Sequence, residues 1–129
     1  MIGIVIVSHS QKLAEGVVEI AQMMAKDARI VAAGGMDDGG IGTSYEKIAA
    51  AVEEADTGDG AIVLMDMGSA VMTAEMVLED RDDGKSQLVD APLVEGAVVA
   101  ALAALQGKSV ADAAADAEAS RQAKKIMGD

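Results

Sequence analysis

This 129-residue sequence contains one candidate nucleophile that needs no separate base, its single histidine, His9. The residue closely follows residues 2–7, an apolar and largely β-branched run that predicts a strand buried on both faces of a parallel sheet. A neutral imidazole can attack an electrophile without help from another base. Asp66 directly follows a second apolar run, residues 61–65. The sequence therefore predicts a nucleophilic histidine with an aspartate as its partner.

The charge on the imidazole decides whether it can react. A nearby carboxylate such as Asp66 favours the protonated ring, which cannot attack, whereas helix N-termini favour the neutral ring. We expect the helix ends to prevail, with Asp66 accepting a hydrogen bond from Nδ1 of His9 and leaving the Nε2 lone pair free. Two simpler interpretations stay open: His9 is a loop residue bonded to a backbone carbonyl, and Asp66 is only a helix cap.

Predicted strands and helices alternate along the whole chain. Apolar runs predict strands at residues 2–7, 29–33 and 61–65, and a short fourth at 86–90. Helices are predicted from the N-cap Ser10 to about 26, from a capping box of Thr43 and Glu46 to 55, after residues 66–69 to about 79, from Pro92 to Gly107, and from the N-cap Ser109 to about Met127. This order predicts one α/β domain over residues 1–129, with a doubly wound, mostly parallel sheet of four to five strands and helices on both faces.

Polar or glycine-rich segments follow three of the predicted strands. In open α/β sheets, ligands bind at the carboxyl ends of the strands, where the strand order reverses. Each segment also opens a helix, whose free N–H groups favour an anion. We therefore predict a pocket for a phosphoryl group beside His9, lined by Ser10, Gly42, Thr43, Ser44, Gly68 and Ser69.

The composition narrows the classes of partner and cofactor. Ten basic against 22 acidic residues give a net charge of −12, which disfavours binding to nucleic acid or to an anionic membrane surface. One histidine and no cysteine cannot build a multi-histidine or thiolate zinc site, so we expect neither metal nor cofactor. The nine methionines are interpreted as core filler. With neither a signal peptide nor an apolar run of about 20 residues, a cytoplasmic location is expected.

Three motifs make the chain resemble a known family. They are residues 5–10 (VIVSHS), residues 39–44 (GGIGTS) with Ile48, and residues 63–70 (VLMDMGSA) with Glu75. In order and spacing they are similar to the mannose-type enzyme IIA family of the sugar phosphotransferase system, over most of the chain. Sugar-transporting members usually carry glycine after the histidine and Gly-Gly-Ser-Pro after the aspartate. Ser10 and residues 68–70 (GSA) differ from that pattern and resemble the branch that serves phosphoenolpyruvate-dependent dihydroxyacetone kinases.

The resemblance implies a specific reaction and specific partners. His9 would be phosphorylated on Nε2 by the histidine phosphocarrier protein, and the group would pass to ADP bound on the nucleotide-binding subunit of dihydroxyacetone kinase. Asp66 falls at the family's histidine-orienting carboxylate, and Thr43, Ser44 and Ser69 fall in loops that line the site. Such proteins are usually homodimers. Two alternatives remain: an enzyme IIA of a sugar-transporting phosphotransferase system, and a non-catalytic module that binds an anion or a nucleotide.

Overall fold

A computed structural model describes residues 1–127 of the chain. Strands and helices alternate in sequence, as predicted. The strands are β1 (Gly3–Ser8), β2 (Ile30–Gly34), β3 (Ala61–Met65) and β4 (Gln87–Leu88). The helices are α1 (Gln11–Met24), α2 (Tyr45–Ala55), α3 (Ser69–Arg81), α4 (Leu93–Leu105) and α5 (Val110–Ala119), and a 3₁₀ turn follows at Ser120–Gln122.

The four strands form one sheet in the order β2-β1-β3-β4. β1 pairs in parallel with β2 and with β3, and β4 pairs in parallel with β3, which confirms the predicted α/β class. After β1 the chain moves to one side for β2 and then returns to the other side of β1 for β3. The strand order therefore reverses between β1 and β3, and their carboxyl ends flank the crevice where ligands bind in such sheets.

Alternate residues of β1 point to opposite faces of the sheet, and helices cover both. Ile4 and Ile6 pack with α1, α4 and α5 in one cluster of buried residues. Val5 and Val7 pack with α2 and α3 in a second cluster. All four side chains are fully buried, as expected for a central parallel strand. The two residues that end β1 and follow it, Ser8 and His9, are thereby fixed at the centre of the carboxyl edge.

The interpretation of the methionines as core filler is wrong. Eight of the nine are exposed, and Met65 is partly buried. The core contains isoleucine, valine, leucine and many alanines, and the buried residues of α4 are alanines and Gly96. Helices with such small side chains approach the sheet closely, which leaves few gaps for a long, flexible side chain to fill. Within residues 1–127, no helix combines the length and apolar character needed to cross a bilayer.

Two predicted helix boundaries also differ from the structure. α2 is capped by Ser44, whose hydroxyl accepts from the N–H of Lys47, and not by a capping box that begins at Thr43. The last helix ends at Ala119 instead of continuing to about Met127. Its last buried residue is Ala117, and residues 118–127 bury no apolar side chain that could stabilise a longer helix.

Two glycines provide a matched test of the close packing. A Cβ on Gly3 would lie 2.1 Å from the carbonyl oxygen of Ala55, whereas a Cβ on Gly16 of α1 would meet nothing within 4 Å. Gly3→Ala is expected to lower the free energy of unfolding by roughly 1–3 kcal/mol through overpacking. Gly16→Ala is expected to raise it by up to about 1 kcal/mol, because alanine favours the helix. Urea unfolding of both variants measures the difference, and equal effects would contradict the close approach.

Candidate active site

His9 and Asp66 lie side by side because their strands are neighbours. Val7 of β1 is in register with Met65 of β3, so the residues that follow leave the sheet together. His9 Nδ1 lies 3.0 Å from Asp66 Oδ1 and 3.3 Å from Oδ2. The His9 side chain is 22% exposed and that of Asp66 is 12% exposed. The pair is thus partly shielded from water, but the ring still reaches the surface.

The Asp66 carboxylate accepts hydrogen bonds on both oxygens. The Ser8 hydroxyl and the His9 backbone N–H donate to Oδ2, at 2.9 and 3.0 Å. The Met67 backbone N–H donates to Oδ1 at 2.7 Å. Burial raises the pKa of Asp66, but these bonds and the one from the His9 ring outweigh it, so the pKa lies below its ordinary value. Asp66 is therefore a carboxylate at neutral pH.

The ionised carboxylate determines the tautomer of the neutral imidazole. Because a carboxylate only accepts, Nδ1 of His9 must carry the proton, and Nε2 must carry the lone pair. Nε2 lies 2.9 Å from Ser69 Oγ, which then donates to it. The Nε2 lone pair therefore points towards the first residue of α3.

α3 begins beside Nε2 without a side-chain cap. Its N-cap is Gly68, which has a φ of 50°, a value that favours glycine, and no side chain to accept from the first turn. The N–H groups of Ala70 and Val71 donate to the carbonyl oxygens of Met67 and Gly68, so the Ser69 N–H and the helix dipole are what favour an anion at this end. Of the predicted pocket residues, Gly68 and Ser69 therefore lie beside Nε2 of His9.

Two of the other predicted pocket residues use their hydroxyls as helix caps. Ser10 caps α1, and its Oγ accepts from the N–H of Leu13. Ser44 caps α2, is 7% exposed, and donates to Asp37 Oδ1 at 3.0 Å. These bonds engage both hydroxyls within the protein, so these two residues shape the loops around the site.

The glycine-rich segment after β2 is bonded to the end of β1. The Gly42 N–H donates to the His9 carbonyl oxygen at 2.9 Å. Gly42 has a φ of 146°, and a Cβ there would lie 2.7 Å from Met36 Sδ. The next residue, Thr43, places its hydroxyl 3.3 Å from that of Thr73, which in turn donates to the Ser69 carbonyl oxygen. The segment is thus connected to both the histidine and the start of α3.

Ser8 and Thr73 also belong to the site and were not among the predicted residues. A hydroxyl at the last position of an otherwise apolar buried strand, as at Ser8, is a signal for a specific hydrogen bond. Thr73 lies one helical turn after Ser69, and no feature of the sequence distinguishes it from an ordinary helix residue. Its contact with Thr43 depends on how two distant segments meet.

The His9 ring does not lie in the cleft over the sheet's β2 edge. That cleft, of about 260 Å³, lies between α1 and α2 and is lined by Gln11, Glu15, Lys47 and Glu54 among others. His9 instead lies at the carboxyl end of the β1–β3 crevice, with its side chain partly exposed. Within residues 1–127, no group of three or more histidine, cysteine or acidic side chains is arranged to hold a metal ion.

The fold and the site define a class: a doubly wound parallel α/β protein with a histidine–carboxylate pair at the point of strand reversal. Residues 3–115 match the EIIA-man family, described as "PTS system fructose IIA component". The chain belongs to the EIIA-man family. This confirms the resemblance on which the sequence analysis relied.

Relatives with descriptive names cover most of the chain. It is 39% identical to "PEP-dependent dihydroxyacetone kinase, phosphoryl donor subunit DhaM" of Escherichia coli (strain K12), over 97% of this chain but 28% of that protein. It is 41% identical to "PEP-dependent dihydroxyacetone kinase 2, phosphoryl donor subunit DhaM" of Listeria innocua, over 84% of this chain and 90% of that one. The chain therefore spans about 28% of the length of the Escherichia coli relative and nearly all of the Listeria one.

A solved structure has the same architecture. The crystal structure of EF1359, described as a protein of unknown function, superposes with a TM-score of 0.81 at 33% identity. The match covers 90% of this chain and 92% of that one. The arrangement of strands and helices described above is therefore also found in an experimental structure.

The low pKa of Asp66 predicts a pH-dependent contribution to stability. Because the pKa in the folded protein lies below the ordinary value, the contribution is complete above that value and is lost as pH falls through the folded-state pKa. The wild-type carboxylate offers two acceptor oxygens to its donors, whereas the amide in Asp66→Asn offers only one. It should destabilise the protein at neutral pH by roughly 1–3 kcal/mol, the effect of leaving a buried donor unpaired.

The measurement is the urea unfolding midpoint as a function of pH, from neutral pH downwards. The gap between wild type and Asp66→Asn should shrink as pH falls through the lowered folded-state pKa of Asp66, because the wild-type carboxyl becomes protonated there. Asp27→Asn, at an exposed aspartate, is the control and should change little over this pH range. A gap that widens in acid would contradict the assignment.

Proposed function

We propose that this protein is a cytoplasmic phosphoryl carrier that takes a phosphoryl group onto Nε2 of His9 from the histidine phosphocarrier protein. It then passes the group to ADP bound on the nucleotide-binding subunit of a dihydroxyacetone kinase. Membership of a phosphotransferase family and the names of the relatives support this proposal. The resulting ATP would phosphorylate dihydroxyacetone, so the chain would be one component of a phosphotransferase.

A single observation carries the proposal: Nδ1 of His9 is bonded to Asp66, while Nε2 points to the uncapped start of α3. This arrangement supplies a lone pair on a known atom and a positive helix end for the arriving anion. Phosphoryl transfer requires positioning and charge stabilisation more than proton transfer, so few side chains suffice. Because a net charge of −12 repels an arriving phosphoryl group, local groups that stabilise its negative charge are important.

The proposed transfer conserves atoms and electrons in each step. In the first, the Nε2 lone pair attacks phosphorus, the N–P bond of the donor's phosphohistidine breaks, and its electron pair returns to the donor ring. The His9 ring keeps its Nδ1 proton and becomes cationic, and the Asp66 carboxylate stabilises that charge. In the second, a terminal oxygen of ADP attacks the phosphorus, the bond to Nε2 breaks, and the ring returns to its neutral form.

The hydroxyl of Ser69 has a role in both states of this carrier. In the resting protein it donates to Nε2. Once Nε2 is phosphorylated, the same hydroxyl is placed to donate to a phosphoryl oxygen, together with the Ser69 N–H at the start of α3. Thr73, bonded to the Ser69 carbonyl oxygen, supports the residue that makes this contact.

A homodimer is also part of the proposal, and the outer faces of α1 and α4 support it. Both carry exposed apolar side chains, among them Leu13 and Ile20 on α1 and Leu102 and Leu105 on α4. α4 has one charged residue, Glu95, among its thirteen. On a chain of net charge −12, a face with so few charges is where a second copy meets the least repulsion.

The description of the family, "PTS system fructose IIA component", favours one alternative, transfer to a sugar permease. The proposed and alternative functions share the loading of His9 and differ only in the recipient. A non-catalytic anion-binding module would differ from both, because it forms no covalent intermediate. Loading and delivery are therefore tested separately.

Loading is tested with phosphoenolpyruvate and the two general phosphotransfer proteins. We expect acid-labile phosphate on the wild type and none on His9→Ala, because the sequence offers no second histidine. Mass spectrometry under alkaline conditions identifies the modified residue. An unlabelled wild type with active donors would favour the anion-binding module.

Delivery is tested by adding recipients to the loaded protein. With the dihydroxyacetone kinase subunits, ADP and dihydroxyacetone, label should leave His9 and appear in dihydroxyacetone phosphate. With a mannose-type sugar permease and its sugar, label should stay on His9. The reverse result would assign the chain to sugar transport.

Asp66→Asn should slow loading on the order of 100-fold or more. The amide of asparagine can donate to Nδ1, which places the ring proton on Nε2 and blocks the attacking lone pair. Single-turnover rates with excess donor measure the effect, and Asp27→Asn serves as the control at an exposed aspartate. A rate within about twofold of wild type would exclude Asp66 from the mechanism.

A further inference from the structure

Ser8 is a buried hydroxyl that the proposed transfer does not use. It is the last residue of β1 and is 0% exposed, in a strand whose other residues are glycine or aliphatic. A hydroxyl buried in this way costs stability unless it is hydrogen-bonded. Alanine would fill the same position on the strand without that cost, so the presence of serine requires an explanation.

The hydroxyl of Ser8 makes two hydrogen bonds with defined directions. Its oxygen accepts from the backbone N–H of Ser10 at 3.0 Å, and it lies 2.9 Å from Asp66 Oδ2. Because the carboxylate cannot donate, the single proton of the hydroxyl must point to Asp66. Ser8 therefore links the carboxylate to the residue that caps α1.

This bond fixes one oxygen of the carboxylate. Oδ2 of Asp66 receives both the Ser8 hydroxyl and the His9 backbone N–H, while Oδ1 receives the Met67 N–H and is the nearer oxygen to His9 Nδ1. The two donors on Oδ2 come from the end of β1, and they hold the carboxylate against rotation about its own bond. If the Ser8 hydroxyl is removed, the carboxylate can rotate. Oδ2 can then accept from the His9 Nδ1–H in place of Oδ1, at a different angle.

We infer that Ser8 is a positioning residue of the site, whose hydroxyl holds the Asp66 carboxylate in the orientation that directs Nε2 of His9 outwards. It acts through Asp66 and does not touch the phosphoryl group. A hydrogen bond to the charged form also lowers the pKa of Asp66, in agreement with its direction of shift. The inference deepens the proposed function, on which it depends only for the kinetic part of its test.

Ser8→Ala removes the hydroxyl and keeps the packing nearly unchanged. The matched control is Ser109→Ala, which removes a serine hydroxyl that caps α5 and accepts from the Asp112 N–H, away from His9. Both variants are expected to lower the urea unfolding midpoint by a similar small amount. Ser8→Thr restores the hydroxyl and serves as the conservative variant. Urea unfolding confirms that each variant is folded under the conditions used.

Three readouts separate positioning from packing. Ring ¹⁵N shifts report the hydrogen bonding and the tautomer of the single histidine, carboxyl ¹³C shifts report the pKa of Asp66, and single-turnover loading reports the attack. We expect Ser8→Ala to shift the Nδ1 resonance as its bond to Asp66 weakens, to raise the pKa of Asp66, and to slow loading about tenfold or more. Ser8→Thr should recover all three, and Ser109→Ala should match wild type in all three.

Loading uses phosphoramidate as well as the protein donor, so that the docking of a partner does not enter the comparison. Its N–P bond breaks, ammonia leaves, and phosphorus bonds to Nε2. If Ser8→Ala keeps the wild-type ring ¹⁵N shifts, carboxyl titration and rate, the inference is wrong and the hydroxyl serves packing alone. If wild type is not loaded by either donor, the proposed function fails, while the ring shifts and the titration still decide the role of Ser8.

Discussion

An ionised carboxylate with donors on both oxygens is the interaction on which the site depends. Asp66 receives the Ser8 hydroxyl, two backbone N–H groups and the imidazole N–H, and this set of bonds keeps it charged despite partial burial. Its charge in turn fixes which nitrogen of His9 holds the proton. The pairing of β1 with β3 brings Ser8 and His9 to Asp66, from which they lie 58 and 57 positions away in the sequence.

The fold was predictable because its signals are local. Apolar runs, caps and glycine stops defined each element, and the α/β class followed from their alternation. The His9–Asp66 pair was predictable for a related reason, since both residues follow central strands and parallel strands end at one edge. The partner of Ser8 could not be predicted, because the Asp66 oxygen that its hydroxyl meets depends on three-dimensional register.

The errors have physical causes that can be named. Ser44 caps α2 in place of Thr43, because the two residues are chemically equivalent as caps and only the path of the preceding loop selects between them. Composition suggested that the methionines fill the core, but the alanine-rich helices pack too closely to need them. α5 ends early because residues 118–127 bury no apolar side chain, and helical propensity alone does not extend the helix through them.

α3 begins at a glycine that has no side-chain acceptor, although the N–H groups of Ala70 and Val71 donate to the carbonyl oxygens of Met67 and Gly68. A glycine N-cap gives up only a few tenths of a kcal/mol relative to a capping side chain, so the open helix end costs little stability. If His9 carries a phosphoryl group as proposed, an oxygen of that group would lie beside Ser69 and would add an acceptor at the first turn of α3. A partner would then distinguish loaded from empty molecules by the surface that this turn presents.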